Sequence, residues 1–238
     1  MAREGLEMTK KMYGPDHLGV AISLYNIASL AQLQGRLREA ESLGREALTM
    51  SRKLGSDGLF LAPALNGLGD TLRDEGKLEE ARQMISEGLE LRRKLLGSED
   101  PKVADSLANL ANVLERQGRL ADAEPLAREC LAIREGKIPD DWRAFDARSL
   151  LGENLAAQQK YNEAEPLLIS GYEGMKLREA KIPVDGKIRL REVLKQLVLL
   201  YKANGRSEQA LDWQQRLEEF DKSQASKEST EATNQHKQ

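Results

Sequence analysis

Apolar residues along this chain recur at steps of three and four. Val103, Leu107, Leu110, Ala111 and Leu114 fall on one face of a helix, and Leu120, Ala123, Leu126, Ala127 and Leu131 form a second such face just beyond Gly118. Gly118 reads as the helix end between them, because glycine takes left-handed backbone without a Cβ clash. The pattern therefore predicts two helices joined by a tight turn. Sliding the chain along itself finds that unit five times, with turn positions at Gly35, Gly76, Gly118, Gln159 and Gly205. The intervals are 41, 42, 41 and 46 residues. Five residues after each turn stands an alanine: Ala40, Ala81, Ala123, Ala164 and Ala210. The first helix supplies a facing small residue in four copies, Ala28, Gly69, Ala111 and Gly152, while the fifth has Val198. Small residues at facing positions let two antiparallel helices approach to the short end of the usual interaxial range of about 8–10 Å.

The segments Asn109-Leu110-Ala111, Gln117-Gly118-Arg119, Ala123-Glu124-Pro125-Leu126 and Gly14-Pro15-Asp16-His17 together resemble the tetratricopeptide repeat, in the longer variety of the kinesin light chains. The resemblance runs from residue 3 to about residue 220. It departs from the family where an early tryptophan is expected: Leu24, Leu65, Leu107, Arg148 and Leu194 stand there, and the later aromatic survives only as Tyr201. The basic repeat has about 34 residues, and HEAT or armadillo units about 40–47, so period alone leaves HEAT as an alternative. The additional residues lie after the second helix's alanine, as in Glu87 to Leu95, and lengthen that helix by about two turns of ~3.6 residues.

What the resemblance implies is an all-α protein, a right-handed superhelical α-solenoid of five helix-turn-helix repeats at 18–58, 59–100, 101–140, 141–184 and 185–221. Residues 1–17 read as a half-repeat, second helix only, with its linker, since Arg3 to Met8 align with Arg45 to Met50. A half-unit leaves Leu6, Met8 and Met12 short of cover, because stacked repeats bury their faces only against neighbours. A chain boundary inside a repeat accounts for this; the alternative is a face that docks a partner or a second copy. At the other end Ala210, Trp213, Leu217 and Phe220 form one apolar stripe on a helix with polar outer positions, as a solubilising terminal helix requires. Residues 222–238 are Ser, Thr, Gln, Lys and Glu without periodicity and are expected to be disordered.

Composition narrows the chemistry. Aromatics make up 4% of the 238 residues, against which a β-sandwich or barrel is a poor fit. Lys and Arg number 36 and Asp and Glu 39, a net charge of −3 that carries no basic footprint for nucleic acid or acidic lipid. Apolar runs such as Leu197-Val198-Leu199-Leu200 are too short to span a bilayer, and the charged N-terminus has no secretory pattern. A single cysteine fits a reducing compartment, so a cytoplasmic location is expected. His17 lies in a linker and His236 in the tail, and Cys130 aligns with Ala47, Gly88 and Gly171 as a small buried packer. Glu99 and Asp100 precede Pro101 and read as a helix start rather than an acid–base pair. No metal-ligand spacing or phosphate loop is present, so neither an enzymatic activity nor a cofactor is expected.

Binding remains. The resemblance implies a concave groove lined by first helices, here by Tyr25, Ser29, Asn66, Asp70, Arg73, Asn109, Asn112, Arg116, Ser149, Glu153, Lys195 and Lys202. Asparagine both donates and accepts, so Asn66, Asn109 and Asn112 suit the main chain of an extended peptide; solvation of a helix face explains them equally. The family's carboxylate clamp is not matched, since Tyr25 and Ser29 replace its Lys and Asn, and Asp105 and Asn109 stand where it has basic residues. Asp70, Asp74, Asp105, Asp146 and Glu153 against Arg73 and Arg116 imply a partner segment that is neutral or basic. The expected function is a non-catalytic scaffold for a protein or peptide partner. The alternatives are the sensor or targeting tail of a larger bacterial signalling protein, such as a Ser/Thr kinase or a transcription regulator, and self-association through Leu6, Met8 and Met12.

Overall fold

The computed structural model describes residues 2–55, 58 and 60–235, with Asp185 and 226–235 described by backbone alone. Within these residues the secondary structure is helical throughout, as eleven α-helices and two 3₁₀ turns. The helices are α1 (Ala2–Tyr13), α2 (Leu18–Leu33), α3 (Leu37–Lys53), α4 (Leu61–Asp74), α5 (Leu78–Leu96), α6 (Pro101–Arg116), α7 (Leu120–Lys137), α8 (Trp142–Ala157), α9 (Tyr161–Leu177), α10 (Ile188–Ala203) and α11 (Ser207–Gln235). They fall into two compact units, Met1–Lys137 and Ile138–Gln238, with α1–α7 in the first and α8–α11 in the second.

The turns follow from the glycines. Gly35, Gly76, Gly118 and Gly205 have φ between 71° and 80°, and Gln159 adopts the same left-handed backbone at φ 63°. At all five turns the next residue donates its N–H to the carbonyl five positions back at 2.9 Å: Arg36 to Ala31, Lys77 to Leu72, Arg119 to Leu114, Lys160 to Leu155 and Arg206 to Tyr201. That bond satisfies a carbonyl the ending helix leaves open and reverses the chain at once. Helix starts are also set locally. Asp100 accepts from the Lys102 N–H at 2.8 Å with Pro101 in the first turn, and His17 Nδ1 accepts from the Gly19 N–H at 3.0 Å.

Packing within each pair is governed by the small residues. Ala40, Ala81, Ala123, Ala164 and Ala210 are all buried. A methyl group at Gly69 would run into Ile85, and one at Gly152 would approach Leu168 at 2.8 Å. In the first unit, second helices are joined one repeat apart by Arg45–Glu80, Arg52–Glu87 and Arg93–Glu129 at 2.5–2.7 Å. These pairs are exposed and each adds little to stability, of the order of 0–1 kcal/mol. In the second unit the 3₁₀ turns Glu179–Lys181 and Val184–Lys187 take up the longer fourth interval, with Ile182 buried beside them.

Two expectations about the ends are corrected. Leu6 is buried against Val20, Leu24 and Ile27, so only Met8 and Met12 stay exposed, at 64% and 65%. Leu6 takes the place on α1 that Leu48 takes on α3, and α2 covers it from the other side. The expected disorder from residue 222 is not what the backbone does: α11 continues to Gln235. Once a helix is nucleated by packed residues such as Trp213 and Phe220, each further residue adds a hydrogen bond without a new nucleation cost. His236 and the last two residues lie outside the described part.

Candidate functional site

Eight of the twelve expected groove residues lie in the first unit and four in the second. In the first unit, α2, α4 and α6 bring most of theirs into one polar network. Asp70 accepts from Arg73 Nη1 at 3.0 Å and from Asn109 Nδ2 at 2.9 Å, which ties α4 to α6. Asp74 accepts from Arg73 at 3.0 and 3.1 Å and from Gln32 of α2 at 2.8 Å. Arg116 donates to the Arg73 carbonyl at 2.8 Å. Burial pushes the Asp70 carboxyl from its ordinary 3.8 up to about 6; Arg73, Arg92 and Asn109 oppose that rise and Asp74 adds to it. Tyr25 is half-buried, its ring edge-on to Phe60 at 5.8 Å and above Gly67, where a methyl group would stand 2.7 Å from it. Ser29 turns its hydroxyl back to the Tyr25 carbonyl at 3.1 Å. Asn112 is half-buried and its amide has no partner among the described residues.

Two expected lining residues do not line anything. Asn66 is buried, donating to the Ala62 carbonyl at 2.9 Å, and it fills the space left by Gly88 on α5. Ser149 is likewise buried, against Gly171 on α9, and donates to the Phe145 carbonyl. Both occupy the position of Tyr25 in their repeats, where the two helices cross. A side chain as long as tyrosine reaches out of that crossing, whereas asparagine and serine end inside it.

The arginines that matter electrostatically were absent from the expected set. Arg134 of α7, nearly buried, pairs with Asp105 at 3.1 Å, and Arg92 of α5 donates to Ser106 and to the Lys102 carbonyl. Both stand sixteen residues after a turn glycine, in successive second helices, and that shared offset was the available signal. Burial lowers the pKa of Arg92, against the pull of Asp105, Tyr25 and Asp70. In the second unit Arg189 collects Asp146 at 2.7 Å, Glu192 at 2.8 Å and Glu153 at 3.0 Å. Burial raises the Glu153 pKa even so. Lys195 and Lys202 are exposed on α10. Among the described residues no group of His, Cys, Asp and Glu is arranged to hold a metal ion, and no helix is long and apolar enough to cross a membrane.

The family model described as the tetratricopeptide repeat matches residues 2–53 and 60–136. The chain belongs to the tetratricopeptide repeat family. Over 86 residues, 36% of its length, this tetratricopeptide repeat protein is 34% identical to Protein KINESIN LIGHT CHAIN-RELATED 3 of Arabidopsis thaliana, of whose length it covers only 13%. Its fold matches the crystal structure of BtubC (BKLC) from P. vanneervenii with a TM-score of 0.76 at 20% identity, over 94% of this chain and 89% of that one. It also matches YrrB, described as a TPR protein with an unusual peptide-binding site, with a TM-score of 0.55 at 18% identity over 91% and 92% of the two chains. The tetratricopeptide repeats and the helical solenoid fold are thus established, with a kinesin light chain-related protein among the chain's relatives.

Proposed function

We propose that this tetratricopeptide repeat protein is a non-catalytic interaction scaffold that holds an extended segment of a partner along the first-helix face of α2, α4 and α6. The observation that carries the reading is the state of the asparagines. Arg73, Asp74 and Gln32 spend their hydrogen bonds on one another and fix the helices. Asn112 keeps its whole amide free, and Asn109 keeps its Oδ1 free, among the described residues. Free amides beside a rigid wall are suited to main-chain recognition, which needs little reorganisation on binding. Ile22 and Leu33 of α2 are exposed apolar residues in the same unit. The peptide-binding description of YrrB agrees with this use of the fold. The right-handed sense of the solenoid and a cytoplasmic location belong to the same reading.

Charge preference divides differently from what composition implies. Arg73 pairs with both Asp70 and Asp74, Arg116 stands 3.9 Å from Asp74 and Arg134 pairs with Asp105, so the first unit favours a neutral segment. Around Arg189 three carboxylates, Asp146, Glu153 and Glu192, gather on one guanidinium, and the preference for basic residues is assigned to that cluster. Selection of random dodecapeptides displayed on phage, followed by titration of labelled winners, tests the reading. Asn112→Ala should weaken them about tenfold, or about 1.4 kcal/mol. Unchanged affinities would remove the groove, and winners of net negative charge would remove the charge preference.

A second reading draws on the short coverage of the Arabidopsis relative: such repeats sit inside a much longer protein there, and here they would serve as its sensor or targeting part. Self-association is proposed through Met8 and Met12, which stay exposed where Leu6 does not.

A further inference from the structure

Asp70 and Asn109 stand on successive first helices and meet through one hydrogen bond. The ionised carboxylate only accepts, so the 2.9 Å contact must be made by the Asn109 Nδ2, which turns Oδ1 the other way. Asn109 is half-buried, and its Oδ1 has no partner among the described residues. The second carboxylate oxygen is taken by Arg73, so Asp70 has no freedom to swing aside. The charged groups facing Asp70 are Arg73 and Asp74 of α4 and Arg92 of α5; Arg92 is itself faced by Asp105 and Asp100 and by Tyr25 of α2, and Arg116 of α6 stands 3.9 Å from Asp74.

We propose that Asp70 is a positioning residue that sets the polarity of the groove at Asn109. When Asp70 is ionised, the Asn109 amide offers its carbonyl oxygen and selects a hydrogen-bond donor. When Asp70 is protonated, its hydroxyl donates to Oδ1, the amide turns over, and the same place offers an N–H and selects an acceptor. The proton moves between solvent and the carboxyl, and no covalent bond of the protein changes. At neutral pH the ligand group recognised at Asn109 is therefore a donor, a main-chain N–H or the side-chain N–H of Asn or Gln in a neutral segment. The Asn112 amide, which is not tied to a carboxylate, takes either kind. The raised carboxyl of Asp70 puts the changeover within mildly acidic conditions rather than near the usual carboxylate range. The consequence for a ligand rests on the groove reading above; the orientation of the amide does not.

The test therefore uses the full chain without ligand. Side-chain amide resonances of the ¹⁵N-labelled protein are followed from pH 4.5 to 8, with the Asn109 pair assigned by its loss in Asn109→Ser. The Asn109 resonances should move with one midpoint at about pH 6 while those of Asn112 stay still. Asp70→Asn should abolish the movement, Asp70→Glu should restore one with its own midpoint, and Asp74→Asn should keep the movement with a lower midpoint, since Asp74 helps to raise the Asp70 carboxyl. An Asn109 pair that does not titrate, that follows a midpoint near 4, or that still titrates in Asp70→Asn overturns the proposal. The wild-type titration decides it even if a variant fails to fold. Failure of peptides to bind would count against the groove alone.

Discussion

Arg189 is the residue whose removal tests the electrostatics most directly. Its guanidinium is 21% exposed and holds Asp146 and Glu153, themselves 16% and 15% exposed, together with Glu192, which is 47% exposed. Burial opposes the charge on Arg189, yet Glu153 and Asp146 hold its pKa well above the ordinary arginine value. Arg189→Met keeps an apolar stem for packing and deletes the charge. Glu153 is then left mostly buried without the guanidinium that held it, a change that costs about 3 kcal/mol, the lower end for a broken buried pair. Hydrogen exchange reads this locally: amides of α8 and α10 should exchange roughly 100-fold faster at pH 7.5. The pH dependence has a definite sign. In the variant Glu153, whose pKa burial already raises, loses the opposing pull of Arg189 and titrates above its unfolded value, so the folded state binds more protons than the unfolded one at mildly acidic pH. Stability is then regained as pH falls from 7.5 towards 4.5, and lost again as it rises. A loss below about 1 kcal/mol, or one equal at both pH values, would refute the account of the cluster.

Other positions give equally definite outcomes. Gln159 pays for a left-handed backbone that its four counterparts meet with glycine, so Gln159→Gly should stabilise by about 0.5–1 kcal/mol and raise the melting temperature by a few degrees; a lower melting temperature would show that the Gln159 side chain contributes more than its strain. At the first helix, Leu6→Glu should lower stability by about 2–3 kcal/mol in urea unfolding, because it drives a carboxylate into the cluster with Val20 and Leu24. Met8→Glu should stay within about 0.5 kcal/mol of the parent, and equal effects at the two positions would contradict the burial described.

The repeat and its helix pairs were legible because they are encoded locally. A glycine that ends a helix, an alanine five residues on and an apolar face at steps of three and four each act within one turn or one helix. Five copies in register then made the family recognisable despite the missing tryptophans. The groove was less legible. One residue along a helix turns a side chain by about 100°, and at a helix crossing even the right position gives different results for different lengths of side chain. Tyr25 therefore emerges where Asn66 and Ser149 are buried.

Sequence alone thus determined the all-helical repeat, its period, its turns and the terminal apolar stripe of α11. Tertiary structure decided which polar residues are spent and which are free. Asp70 with Asn109, Gln32 with Asp74 and Arg189 with Asp146 and Glu153 are separated by 36 to 43 residues, and their contacts exist only because successive first helices lie side by side. The free amide of Asn112 and the tied amide of Asn109 are identical in sequence terms. The carboxylate that distinguishes them arrives from the preceding repeat, and a local pattern holds no record of it.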